Sequence, residues 1–220
     1  MLKSSEMKGH SMVAGLWGKK IGMTQLFAED AVIPVTAITV GHWVVTGIKT
    51  DARDGYNALQ VGLLKKRYTQ EQFSPEWLKK TKNYFVFLRE IKQNDAVAGL
   101  EIGQALDCSA VLAEGDRVDL FGLTIGRGFA GAVKRHGFRG GCASHGSKLG
   151  RKPGSVSHFR AEGRVIKGKR LPGHMGHAQR HMENLEVVKV DKSADVVLVK
   201  GSVPGKGGTL VFMRKAQGDR

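Results

Sequence analysis

Residues whose types and spacing could do chemistry gather in one part of this 220-residue chain. Gly126-Arg127-Gly128-Phe129-Ala130-Gly131 spells the G-x-G-x-x-G of a dinucleotide-binding loop, where glycines let the backbone close on a pyrophosphate. That chemistry needs an acid about 20 residues on to hold a ribose, within a βαβ unit. Gly140 to Lys152 contains no acid, and no pattern of crossover helix and parallel strand follows. The loop therefore reads as a glycine-rich turn, open to phosphate, leading into Lys134 and Arg135. Gly201 to Gly207 is one residue short of a Walker loop and has Gly207 where Ser or Thr is required, so it reads as a turn between strands. His174, His177 and His181 are spaced as if to present three imidazoles on one helical face for zinc. Pro172, Gly173 and Gly176 oppose a helix there, and histidines among Arg and Lys more often donate to phosphate or stack on bases. Cys142, Ser144 and His145 are near neighbours, but no carboxylate lies close by to orient the imidazole for nucleophilic catalysis. The sequence predicts no enzyme, metal, cofactor or small-molecule substrate.

What the same stretch holds in quantity is positive charge. The chain carries 35 Lys and Arg against 20 Asp and Glu, a net +15. Residues 124–182 contain 13 Lys/Arg and one acid, Glu162, and so carry +12, leaving +3 for the other 161 residues. The stretch also holds six of the eight histidines and 13 of the 30 glycines. Its cations alternate with Gly, Pro and the occasional Phe (Phe138, Phe159), not with Ser or Glu. Glycine permits close backbone approach, Arg forks match phosphate bidentately, and rings stack on unpaired bases. These features favour a segment threaded through folded RNA over a merely solvated charge run. Two readings of other classes stay open: a nucleotide-dependent enzyme built on the Gly126–Gly131 loop, and an architectural DNA-binding protein.

The remaining composition narrows the setting. There is no run of 18 apolar residues, hence no expected helical membrane span. Two cysteines, Cys108 and Cys142, make no disulfide framework, and the opening MLKSSEMKGHSMVA lacks the apolar core of a signal peptide. A cytoplasmic location is expected, with an organellar one open.

The elements that must position the basic stretch read mostly as strands. Ile33–Val40, Trp43–Ile48, Tyr56–Leu64, Tyr84–Ile91, Arg117–Thr124, Leu185–Val190, Val196–Lys200 and Thr209–Met213 are rich in β-branched and apolar residues and separated by turn signals such as Asp54-Gly55. Asp191–Ala194 reads as a hairpin loop. Ser74-Pro75-Glu76-Trp77 predicts a short helix with Ser74 as N-cap and Pro75 first in the helix. Closely spaced strands with few helical patterns predict a mainly β protein, a small, mainly antiparallel barrel or sandwich. Residues 136–182 sustain neither a period of 2 nor one of 3.6, and cannot alone bury enough apolar surface to offset their conformational entropy. They read as a long, irregular basic extension inserted into the β domain. The predicted organisation is a tail at 1–14, a discontinuous β domain at 15–125 and 183–215, an extended loop at 126–182, and a tail at 216–220.

Several ordered motifs resemble the bacterial-type large-subunit ribosomal protein L3 family. Gly15-Leu16-Trp17-Gly18-Lys19-Lys20-Ile21-Gly22-Met23-Thr24 is similar to the family's N-terminal signature, and Asp54-Gly55-Tyr56 with Ala58–Gly62 to its next block. The likeness continues through Gly126–Phe138, Ala143–Ser147, Pro153-Gly154-Ser155, Gly163-Arg164-Val165, Lys167–Gly176 and Lys200–Gly205, and is weak over 65–110. The resemblance implies a β-barrel domain bearing an extension that enters large-subunit rRNA, binding early in assembly near the 3′ region and approaching the peptidyl transferase centre without doing chemistry. It implies ribosomal proteins L14 and L19 as neighbours. Carried over by position, the rRNA contacts in the extension are Lys134, Arg135, His136, Arg139, His145, Lys148, Arg151, Lys152, Lys167, Lys169, Arg170 and His174. Lys19 and Lys20 of the N-terminal signature and Arg127 of the glycine-rich turn are added to these. So are His158, Arg160 and Arg164 in the expected tip at Val156–Arg164. One departure stands out: where many members read Ile-Gly-Gln-Asn-Gln-Thr-Pro-Gly with a methylatable second Gln, this chain has Val156–Gly163 with Arg160 at that Gln, so no such methylation is expected.

Overall fold

The computed structural model describes residues 13–28, 31–94, 99–157 and 163–216. The fold is mainly β, with antiparallel sheets, as the strand patterns predict. The chain divides into two compact units: Thr124–Gln179 is one, and the segments before and after it form the other.

In the second of these, the β unit, six strands close into a ring. They are β1 (Gly15–Phe27), β2 (Val32–Thr39), β6 (Arg117–Leu123), β9 (Gln179–Asp191), β10 (Val196–Lys200) and β11 (Leu210–Lys215), in the order β1-β11-β6-β9-β10-β2. A separate three-stranded sheet, β3-β4-β5, is made by β3 (Trp43–Lys49), β4 (Ala58–Leu64) and β5 (Phe85–Lys92). Short helices fill connections: α1 (Asp51–Asp54), α2 (Glu76–Lys79), α3 (Thr81–Tyr84) and α4 (Cys108–Val111).

One apolar cluster serves both sheets. Ile38, Leu120, Val187, Val197, Val211 and Met213 of the ring join Val45, Leu59, Val61 and Ile91 of the three-stranded sheet, all fully excluded from solvent. Burial of this kind contributes about 1.5–3 kcal/mol per large side chain before entropy is charged against it. Val13 belongs to the same cluster, and the Ala14 N–H donates to Gln93 Oε1 at 3.1 Å.

The expected strands are present, with shifts that have local causes. Strand β1 was not expected. Its sequence carries three glycines and two adjacent lysines, which hide the alternation, yet it pairs with both β2 and β11. A Cβ on Gly18 would lie 2.6 Å from Ile38 Cγ2 and 2.9 Å from the Thr39 carbonyl, so the glycine lets β1 and β2 close. The Leu185–Val190 strand extends to Gln179–Asp191, because a neighbour in the ring supplies the pairing that its polar start, Gln179 to Asn184, does not advertise. Asp54-Gly55 closes a helical turn, with Gly55 at φ 78° as its cap, so β4 starts at Ala58, not Tyr56. The short helix at 74–77 starts one residue late: Pro75 is the cap, Ser74 offers no side-chain bond, and its carbonyl accepts the Trp77 N–H at 3.0 Å. The loop after β9 closes as foreseen, with Asp191 Oδ1 accepting from the Ser193 N–H at 3.0 Å and the Ala194 N–H at 3.3 Å.

Candidate nucleic-acid interface

The Thr124–Gln179 unit is organised by its backbone. Its base is an antiparallel ladder. The Thr124 N–H donates to the Ala178 carbonyl at 3.0 Å, the Arg127 N–H to Met175 at 2.8 Å, and the Met175 N–H to Gly128 at 2.9 Å. β7 (Phe129–Ala130) then pairs with β8 (Gly173–His174). Gly176 is required where the two limbs touch: it sits at φ 75°, and a Cβ there would collide with the Ile125 carbonyl. Beyond β7, the short helix α5 (Ala132–His136) ends on Gly137 at φ 72°, whose N–H returns to the Ala132 and Val133 carbonyls. Lys134, Arg135 and His136 occupy its last turn, the end where cations suit the exposed carbonyls. Further out the chain is turns, pinned by the Gly141 N–H on the Gly150 carbonyl at 2.7 Å and the Lys152 N–H on Leu149 at 3.0 Å. Helix α5, the β7–β8 pair and the start of β9 are regular elements that the sequence reading of this stretch did not contain. The strands are held by pairing with distant chain, and α5 is five residues long, too short for a helical period to show.

This geometry disposes of the loop reading of Gly126–Gly131. The Arg127 N–H, one of the donors a phosphate would need, is spent on Met175, and β8 runs antiparallel to β7, unlike the parallel βαβ unit of a dinucleotide site. The three histidines considered for zinc lie on different elements. His174 is in β8, His177 in the link between β8 and β9 at φ 48°, and His181 in β9, stacked on Phe121 at 4.1 Å. Ser144 and His145 lie in an exposed turn, with His145 at φ 58° and Cys142 beside it a free, exposed thiol.

The expected contact residues fall into two sets. Arg127, Lys134, Arg139, His145, Lys148, Arg151, Lys152, Arg164, Lys167, Lys169, Arg170 and His174 are exposed. Since Glu162 is the lone acid of 124–179, the described part of the unit offers these side chains no carboxylate. Two apolar side chains are buried among its described residues, Ala130 and Ala132, while Ile125, Phe129, Leu149, Val165 and Ile166 lie open. The second set is half-buried and already employed. Arg135 Nη1 donates to the Leu171 carbonyl at 2.7 Å, and His136 Nε2 lies 3.1 Å from the same oxygen, so both tie α5 to the returning limb. Lys20 Nζ donates to the Val203 and Gly205 carbonyls at 2.6 and 2.9 Å, bracing β1 against the 201–209 loop. Lys19 Nζ lies over the Phe87 ring at 5.5 Å. His158 and Arg160, including the methylation departure, lie outside the described residues.

One cationic cluster escaped the sequence reading. Lys65-Lys66-Arg67 and Lys79-Lys80-x-Lys82 are separated by residues 68–78 and meet in the fold. The available signal was an aromatic series between and after them (Tyr68, Phe73, Trp77, Tyr84).

Comparison with known proteins decides the family. The family model for ribosomal protein L3 matches residues 90–197. The large ribosomal subunit protein uL3 of Pelotomaculum thermopropionicum is 42% identical over 208 residues, covering 93% of this chain and 98% of the relative. The chain belongs to the ribosomal protein L3 family. The uL3 proteins of Alkaliphilus metalliredigens and Herpetosiphon aurantiacus are each 44% identical, over 90% and 93% of this chain and 95% and 97% of their own lengths. The L3 family is a structural component of the large ribosomal subunit and not an enzyme family. The strand-rich flanks and the basic unit both lie within the L3 likeness.

Proposed function

We propose that this chain binds large-subunit rRNA through the Thr124–Gln179 unit, as a structural part of the large ribosomal subunit. The observation that carries the reading is the pairing of twelve exposed cations and imidazoles with a unit that buries almost nothing and has no described carboxylate. Such a unit has charge to give to phosphate and little packing of its own to lose. The exposed Lys and Arg neutralise phosphates, while Arg135 and His136 hold the limbs together. Early assembly, approach of the tip to the peptidyl transferase centre, and contact with L14 and L19 belong to the same reading. Probing of rRNA by a cleavage reagent tethered at Cys142 in assembled subunits would locate the extension.

The direct test replaces 131–172 by a tight glycine turn that closes β7 on β8. Full-length protein should bind an rRNA fragment with log K falling by about 0.7–0.9 per log unit of salt for each phosphate contact. The shortened chain should lose about 10³-fold or more in affinity near 0.2 M salt. A flat salt dependence, or unchanged affinity in the shortened chain, would sink the proposal. Duplex DNA competing as well as structured rRNA would favour an architectural DNA-binding role instead.

A further inference from the structure

Two basic runs of the β unit, separated by the eleven residues 68–78, are brought to one place by packed aromatic rings. The Lys65 N–H donates to the Tyr84 carbonyl at 2.9 Å and Lys65 Nζ donates to the Lys82 carbonyl at 2.7 Å, fastening the end of β4 to α3. The Tyr68 ring lies 4.8 Å from Tyr84, and Tyr84 stacks on the buried Trp77 at 5.2 Å and 11°. Arg67 rests its guanidinium over Tyr68 at 4.8 Å. Around this stack Lys66, Arg67, Lys79, Lys80 and Lys82 are exposed. Residues 65–84 hold six cations against two acids, Glu71 and Glu76. Outside 124–182 the chain carries +3 in all, so everything beyond these two regions is net −1.

We propose that this patch is a second RNA-binding site, separate from the extension, which holds phosphates and reads no bases. The rings pack against one another, Trp77 and Tyr84 face to face and Tyr68 tilted against both, and are spent on holding the patch rather than on stacking bases. What is presented is point charge on lysines plus one guanidinium held over a ring, suited to phosphate oxygens. The hydrogen bonds and stack fix the backbone beneath the cations before RNA arrives, which lowers the ordering cost of binding. The inference rests on the rRNA-binding reading above and adds a contact outside the extension.

The test uses full-length protein and a large-subunit rRNA fragment titrated over a range of salt. One variant carries Lys66→Gln, Arg67→Gln, Lys80→Gln and Lys82→Gln. A second keeps the charge with Lys66→Arg, Lys80→Arg and Lys82→Arg, and a third removes extension charge with Lys148→Gln, Arg151→Gln, Lys152→Gln and Lys167→Gln. The first should flatten the log K against log salt slope by about 3, from four lost contacts, and its loss should add to that of the third. The charge-keeping variant should retain the wild-type slope. Single Lys66→Gln and Lys80→Gln changes should each flatten it by about 1, which covers misfolding of the multiple variant. A wild-type slope in the patch variants beside a flattened slope in the extension variant would overturn the second site and leave the first standing. A salt-independent wild type would overturn both.

Discussion

Among the described residues the β unit buries 25 apolar side chains and the Thr124–Gln179 unit buries two, Ala130 and Ala132. The first is held by exclusion of water, the second by backbone hydrogen bonds and glycines at left-handed turns. Backbone bonds exchanged for water bonds contribute only about 1 kcal/mol each, so a unit built from them has little stability of its own. That contrast is what the proposed rRNA-binding role would require: a large apolar core would fill the volume that phosphates must enter.

The contrast can be broken most forcefully at the core. Leu120→Ala, at a fully excluded position of β6, should cost about 2–5 kcal/mol in urea unfolding. Ile166→Ala, at an exposed position of the basic unit, should change unfolding by no more than about 0.5 kcal/mol. Equal costs would show that both units share one kind of stability. Next in size, Gly176→Ala forces an L side chain to φ 75° against the Ile125 carbonyl. Amide exchange should rise at Arg127 and Met175, with the β-unit melting temperature unmoved; exchange as in wild type would remove the close approach from the account.

Within the basic unit the two sets of cations should separate. Arg135→Gln removes the bond to the Leu171 carbonyl and should raise exchange around α5 and β8 as well as weaken RNA binding. Lys148→Gln should flatten the salt slope by about 1 and leave exchange unchanged. Identical behaviour of the two would erase the division between bracing and binding.

The smallest effect lies on the three-stranded sheet. Lys49 Nζ hydrogen-bonds Glu90 at 2.9 Å and Tyr56 Oη donates to the same carboxylate at 2.9 Å, and both hold its pKa below the usual value, Lys49 foremost. A carboxyl depressed on folding adds stability above its unfolded pKa, about 4.3, and that stability fades as pH falls through the lower folded value. Lys49→Met should therefore reduce the loss of stability on acidification below about pH 4.3, seen as a shallower acid limb in thermal melts. The pair is partly exposed, so the change should be slight and shrink with salt.

Much of this molecule could be read in advance, and the failures have specific causes. Runs such as Val196–Lys200 and Arg117–Leu123 announce strands because their alternation and branching are local properties. Strand β1 stayed hidden because Gly15 and Gly18 exist for contacts with chain that lies elsewhere in the sequence, Phe212 and Met213 for the first and Ile38 and Thr39 for the second. The bracing roles of Lys20 and Arg135 stayed hidden, since charge is visible in a sequence and the carbonyl that receives it is not. The cluster at 65–67 and 79–82 went unread for the converse reason: neither run is remarkable until Tyr68, Trp77 and Tyr84 stack.

By itself the sequence determined the mainly β class, the place of the charge at 124–182, and the L3 likeness, because composition and ordered motifs need no third dimension. The tertiary structure alone decided which cations are exposed and which are spent on the fold. That choice depends on which carbonyls and rings come within about 3–6 Å of each side chain, and residues as distant along the chain as Lys20 and Val203 are brought that close only by the closing of the sheet.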